Sequence, residues 1–172
     1  LNPDGTQIAF NFQGDIWTAN INGQNAKRLT IHEGYDTNPL WSADGQSIVF
    51  QSNRYGNSDI YIMLKGGGLS KRITHHSTTD IPTDYTKNGD ILFSTRRNFA
   101  QVEREYETHI VSSKGGTPHR YMSALGFDSK LSPNGKFIVF VKGYCRITRE
   151  AYRGPAKRNI WLYDIKNDTY TQ

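Results

Sequence analysis

Ser42-Ala43-Asp44-Gly45 is followed by Ile48-Val49-Phe50, then by Asp59-Ile60-Tyr61, and then by Lys71-Arg72-Ile73-Thr74. The first four residues carry the φ constraints of a tight turn, and the Ile, Val and Phe that follow suit a pleated, buried strand. The same order opens the chain, as Asn2-Pro3-Asp4-Gly5, Ile8-Ala9-Phe10, Asp15-Ile16-Trp17 and Lys27-Arg28-Leu29-Thr30. It returns as Thr86-Lys87-Asn88-Gly89, Ile91-Leu92-Phe93, His109-Ile110-Val111 and His119-Arg120-Tyr121-Met122. A fourth copy reads Ser132-Pro133-Asn134-Gly135, Ile138-Val139-Phe140 and Asn159-Ile160-Trp161. Aligned this way, the third copy has lost the aromatic of its second strand. The turn glycines lie 40, 44 and 46 residues apart.

Between one unit's Arg-x-Thr strand and the next turn, residues 38–41, 82–85 and 127–131 supply one more strand. Four short antiparallel strands per 40 to 45 residues is the signature of a β-propeller blade. The expectation is an all-β fold, one partial propeller domain of about four blades bounded near 1–40, 41–81, 82–127 and 128–172. Phe10, Trp17, Phe50, Tyr61, Phe93, Phe140 and Trp161 are expected between neighbouring sheets. No ten-residue segment has helical periodicity. Residue 1 falls just before the first turn, so the inner strand of the first blade is expected to be missing. Propellers close into rings, and an open stack exposes its edges, so the ring is expected to be incomplete within these 172 residues.

Composition narrows the function classes. With 35% apolar residues, 16 glycines and one cysteine, the chain is neither collagen, a coiled coil, a disulfide-rich module nor bulk-disordered. Its apolar runs are far shorter than the roughly 18 residues needed to span a bilayer, so no membrane insertion is expected. The single Cys145 leaves cytoplasm and periplasm both open. The net charge of +5 is uneven, because 14 of the 21 Lys and Arg residues lie beyond residue 93. An acidic partner should therefore prefer the second half.

The unit of turn-Gly, Ile-x-Phe, Asp-Ile-aromatic and Arg-Leu-Thr resembles the PD40, or TolB-like, propeller repeat rather than WD40, whose Gly-His and Trp-Asp marks are absent. Ser52-Asn53-Arg54-Tyr55-Gly56-Asn57-Ser58-Asp59-Ile60-Tyr61, and Ala151-Tyr152-Arg153-Gly154 ahead of Asn159-Ile160-Trp161, are similar to the first, six-bladed propeller of tricorn-type serine peptidases of the S41 class. In that family a seven-bladed propeller, a PDZ domain and the catalytic serine and histidine follow; none of those segments lies in these residues. The resemblance implies a peptidase parent and a non-catalytic propeller serving peptide gating, docking or subunit assembly. A TolB-like periplasmic interaction module without enzymatic activity is the alternative. One departure stands out. Where the family's archetype has two adjacent arginines that anchor the peptide's carboxyl end, this loop reads His75-His76-Ser77-Thr78-Thr79-Asp80, so that anchoring role does not transfer.

The residues themselves carry little catalytic signal. There is no Gly-x-Ser-x-Gly elbow, and Cys145 has no companion motif. His32, His75 and His76 match no metal-ligand spacing, and Gly66-Gly67-Gly68 lacks the order of a phosphate loop; no catalytic residue, metal or cofactor is expected. Between Phe93 and His109 lie 15 residues and between Phe140 and Asn159 lie 18, and both insertions are rich in arginine. Strand alternation brings them to one face, where Arg96, Arg97, Arg146, Arg149 and Arg153 form a candidate rim for peptide ends, protein partners or other subunits. A solvated surface, or salt bridges to Glu103, Glu105, Glu107 and Glu150, is the competing reading. Nucleic acid is not expected, for want of a recognition helix or an aromatic RNP-type sheet.

Overall fold

In the computed structural model, residues 1–98, 105–145, 153–154 and 156–172 are described. They form fifteen strands in four antiparallel meanders, with no helix among the described residues. The first sheet has three strands, β1 (Gln7–Phe12), β2 (Asp15–Asn20) and β3 (Lys27–Arg28). The second has β4 (Asp36–Trp41), β5 (Ser47–Tyr55), β6 (Asn57–Leu64) and β7 (Lys71–Arg72). The third has β8 (Ile81–Tyr85), β9 (Asp90–Thr95), β10 (Glu107–Ser112) and β11 (His119–Leu125). The fourth has β12 (Phe127–Leu131), β13 (Phe137–Lys142), β14 (Asn159–Asp164) and β15 (Thr169–Thr171). The second sheet thus begins at Asp36, opposite Ser52, ahead of a boundary drawn on the turn.

The turns form as their residues dictate. Asp44 Oδ1 accepts the Gln46 N–H at 3.0 Å and the Ser42 hydroxyl at 2.6 Å, while Ser42 Oγ takes the Ser47 N–H at 2.9 Å. Ser132 and Asn134 repeat this arrangement. Gly45 and Gly135 sit at φ +65° and +73°, a region costly for any residue with a Cβ.

Strand pairing corrects the alignment of the third unit. Phe10 faces Trp17, Phe50 faces Tyr61 and Phe140 faces Trp161, and Phe93 faces His109. The counterpart of Asp15-Ile16-Trp17 is therefore Glu107-Thr108-His109, two residues earlier than the Ile-based alignment. The aromatic position is not lost but filled by an imidazole, 5.7 Å from the Phe93 ring.

Three apolar seams join the four sheets, and all have the same polarity. Ile16 and Leu29 of the first sheet meet Ile48, Phe50, Tyr61 and Met63 of the second. Val49, Ile60 and Ile73 then meet Ile91, Phe93 and Val111, and Leu92, Ile110 and Met122 meet Ile138, Phe140 and Tyr163. In each seam an aliphatic face abuts one carrying aromatics. On the fourth sheet the aliphatic face is uncovered: Val139 is 41% exposed and Ile160 68%, where their second-sheet counterparts Val49 and Ile60 are fully buried. Burying each such side chain is worth about 1.5–3 kcal/mol. The ring is open here.

Candidate peptide-docking face

The Arg-x-Thr motif is structural. Arg72 Nη2 binds Asp59 at 2.5 Å, and Thr74 Oγ1 takes the Ile60 N–H at 3.0 Å. Arg28, Asp15 and Thr30 repeat the arrangement in the first sheet. The lysine before each arginine reaches the next sheet, Lys27 Nζ donating to Gly66 O at 2.9 Å and Lys71 Nζ to Lys114 O at 2.5 Å.

A second set of clamps lies at the sheet ends where β5 turns into β6. Arg54 donates through Nη2 and Nε to Asp36 at 2.6 and 3.3 Å, over the Phe50 and Tyr61 rings. Arg97 does the same to Asp80, at 2.5 and 3.2 Å, over Phe93. Both carboxylates are fully buried. Of the sequence-predicted rim residues, then, Arg97 is committed to a buried carboxylate. Arg96 lies across the Tyr106 ring, its guanidinium carbon 4.2 Å from the ring centre, and Arg153 is exposed. Arg146 and Arg149 lie outside the described residues. Arg96 directly follows β9, and Arg153 lies six residues ahead of β14.

Sequence reasoning missed the groove that Tyr106 lines. The first strands of three sheets, β4, β8 and β12, border a cavity of about 480 Å³ whose walls mix apolar Pro39, Leu40, Ile81, Pro82 and Phe127 and the Tyr106 ring with polar Asn38, Thr83, Ser94, Asp128 and Lys130. In a propeller these strands flank the central channel. All three carry a bulge, between Thr37 and Leu40, Pro82 and Asp84, and Phe127 and Lys130. Asn38 and Asp128 adopt φ +51° and +55° there; an Asn or Asp near a Pro or Ser was the only available signal. Main-chain groups beside the groove are already engaged. Lys130 Nζ donates to Thr83 O, Asp84 Oδ2 takes the Leu131 N–H at 2.6 Å, and Ser94 Oγ takes the Asp128 N–H at 3.2 Å. The walls therefore offer side chains more than open strand edges. A larger cavity, about 640 Å³, lies at the opposite sheet ends beside Lys87, Asp90 and His119, away from the arginine-rich insertions.

Glu107 and His109 are the other polar groups that the sequence did not single out correctly. Glu107 is fully buried; its Oε1 takes the Asn98 N–H at 2.9 Å and its Oε2 lies 2.9 Å from His109 Nε2. Burial pushes the His109 imidazole below its ordinary value, against the opposing pull of Glu107. A neutral His109 donating from Nε2 fits this geometry, and its Nδ1 is buried without a hydrogen-bond partner among the described residues.

Comparison with known proteins agrees with the fold and the repeat. The family model for the tricorn protease N-terminal β-propeller domain matches residues 2–172. Tricorn protease homolog 1 of Streptomyces coelicolor is 23% identical over 161 residues, covering 93% of this chain and 15% of the homologue. The Tol-Pal system protein TolB of Helicobacter hepaticus is 26% identical over 135 residues, covering 76% of this chain and 32% of that protein. Among solved structures, the tricorn protease superposes with a TM-score of 0.78 at 17% identity, over 97% of this chain and 17% of the other. The chain thus spans a minor part of each of these relatives.

Proposed function

Because this chain belongs to the tricorn protease N-terminal β-propeller family, we propose that it is a non-catalytic peptide-docking domain of a tricorn-like serine peptidase. Hydrolysis is supplied by residues outside these 172. The carrying observation is the groove between β4, β8 and β12: its walls set apolar Pro39, Leu40, Ile81, Pro82 and Phe127 beside polar Asn38, Asp128 and Lys130, and the main-chain groups of Thr83, Asp128 and Leu131 are tied up by Lys130, Ser94 and Asp84. An extended peptide is held there by side-chain contacts and not locked in as an added strand, which suits a site that must release what it binds. Arg96 and Arg153 attract acidic peptide ends, since guanidinium holds a carboxylate with two parallel bonds. The uncovered Val139, Ile160 and Leu162 face serves assembly with a further blade. A second reading, a TolB-like interaction module without enzymatic activity, is favoured by the TolB similarity.

The test is kinetic. In the full-length protein, changing Arg96 and Arg153 together to Ala should raise KM for peptides with acidic ends by about two- to tenfold, with kcat unchanged. The difference should shrink in high salt. Unchanged KM at low salt, or a fall in kcat alone, contradicts docking at the rim, and a full-length protein without peptidase activity favours the second reading.

A further inference from the structure

At the turns of one sheet end, Asp4, Asp44 and Asn134 each accept the main-chain N–H two residues ahead, at 2.9 to 3.0 Å. At the other end the same local bond is made by imidazole. His32 Nδ1 accepts the Gly34 N–H at 2.9 Å, and His76 Nδ1 accepts the Thr78 N–H at 3.1 Å. The two histidines hold equivalent places, each two residues after the threonine of the Arg-x-Thr motif, in the loops joining the first sheet to the second and the second to the third. Between the third and fourth sheets only Gly126 separates β11 from β12, so no such loop exists there.

The choice of acceptor has a chemical consequence. A carboxylate or carboxamide keeps its acceptor oxygen throughout the neutral range, whereas imidazole accepts at Nδ1 only while neutral, with its proton on Nε2. Protonated, Nδ1 presents a hydrogen to the N–H it had accepted. The Thr78 hydroxyl, 2.8 Å from His76 Nδ1, can accept that hydrogen, but the Thr78 and Gly34 N–H groups lose their acceptors. Each loop has further work. Asn57 Nδ2 donates to His76 O, holding the second loop to β6, and the Tyr35 N–H, next to Gly34, donates to Asn53 Oδ1 at 2.6 Å, holding the first to β5.

We propose that His32 and His76 are pH-operated clasps: neutral imidazole closes residues 31–35 and 75–79 at the docking face, and protonation opens them while adding positive charge there. The charged groups on the elements meeting these loops are the pairs Asp15–Arg28, Asp36–Arg54, Asp59–Arg72 and Asp80–Arg97. The loops add Glu33 and His75. The four pairs are closed, and imidazole is the side chain whose ordinary protonation range falls near neutral pH. The clasps stand on their hydrogen-bond geometry, and their test requires no peptide binding.

The measurement is nitrogen-15 NMR on the whole chain from pH 8 to 5, following the side-chain nitrogens of His32 and His76 and the exchange protection of the Gly34 and Thr78 amides, corrected for intrinsic exchange. Both imidazoles should carry the proton on Nε2 at high pH, and amide protection should fall about five- to tenfold with the same midpoint as ring protonation. His76→Asn places a non-titrating acceptor oxygen near the Nδ1 position and should keep Thr78 protected across the range, leaving the Gly34 titration unchanged. His76→Gln, whose polar atoms lie one carbon farther out, should lose protection at every pH. Amide protection that ignores ring titration, pH-dependent loss of Thr78 protection in the Asn variant, or full protection in the Gln variant would overturn the proposal.

Discussion

Replacing Asp80 by alanine is expected to lower the unfolding free energy of the chain by about 3–5 kcal/mol, read from urea denaturation. The carboxylate is fully buried and holds Arg97 through two bonds of 2.5 and 3.2 Å, and the Arg97 side chain is only 12% exposed. Removing the anion strands a guanidinium over the Phe93 ring, with its charge uncompensated in a poorly solvated place. Arg97→Ala should be similarly costly, because it orphans Asp80. Asp80→Leu combined with Arg97→Met should recover part of the loss, since apolar replacement of a whole buried pair removes the desolvation penalty along with the attraction. Arg28→Ala should cost less: the arginine is 42% exposed, so solvent weakens the attraction that is lost, and the buried Asp15 left behind keeps the Thr30 hydroxyl at 3.3 Å. An Asp80→Ala protein within about 1 kcal/mol of the parent would mean that Arg97 is an ordinary surface residue, available to the rim.

The Glu107 and His109 pair should give the next largest effect. Glu107→Ala removes the acceptor for the Asn98 N–H and for His109 Nε2; exposed Asn98 can turn to water, whereas the buried His109 donor is left unpaired at a cost of about 1–3 kcal/mol. The pair also makes stability depend on pH. Because burial lowers the His109 value in the folded chain below 6.5, the unfolded chain binds its proton first as pH falls. Stability is therefore full above about pH 6.5 and declines through the window between that value and the lower folded value. His109→Tyr, which installs the residue found opposite Phe50, should flatten this dependence relative to the parent, the remaining histidines cancelling in the comparison. Equal pH profiles for the two proteins would show that His109 is not buried as a neutral ring.

Much of the fold was legible because its signals are local. A polar pair before Gly45 or Gly135 fixes a turn by hydrogen bonds within five residues, and Ile-x-Phe marks a strand, buried on both faces in β5 and β9. The third unit was misaligned because Ile110 imitates the Ile of Asp-Ile-Tyr, while the true partner of Phe93 is identified only by pairing across the strands. Arg97 read as a surface cation because its partner Asp80 is 17 residues away, and nothing in the intervening chain announces that the two meet. The groove was invisible for a related reason: it is made by three strands some 45 residues apart, each contributing three residues. The histidines of the inter-sheet loops match no metal-ligand spacing, and their role as acceptors depends on loop geometry that spacing alone does not specify.

The most direct measurement asks where a peptide lies on the protein. A peptide with an acidic end and a photoreactive side chain is incubated with the chain, irradiated, and its attachment sites are mapped by mass spectrometry. Docking in the groove predicts attachment to Leu40, Pro82 and Phe127, suppressed by excess unlabelled peptide and weakened when Arg96 and Arg153 are changed to Ala. Attachment confined to the open sheet face of Val139, Ile160 and Leu162, with the groove unlabelled, would contradict it.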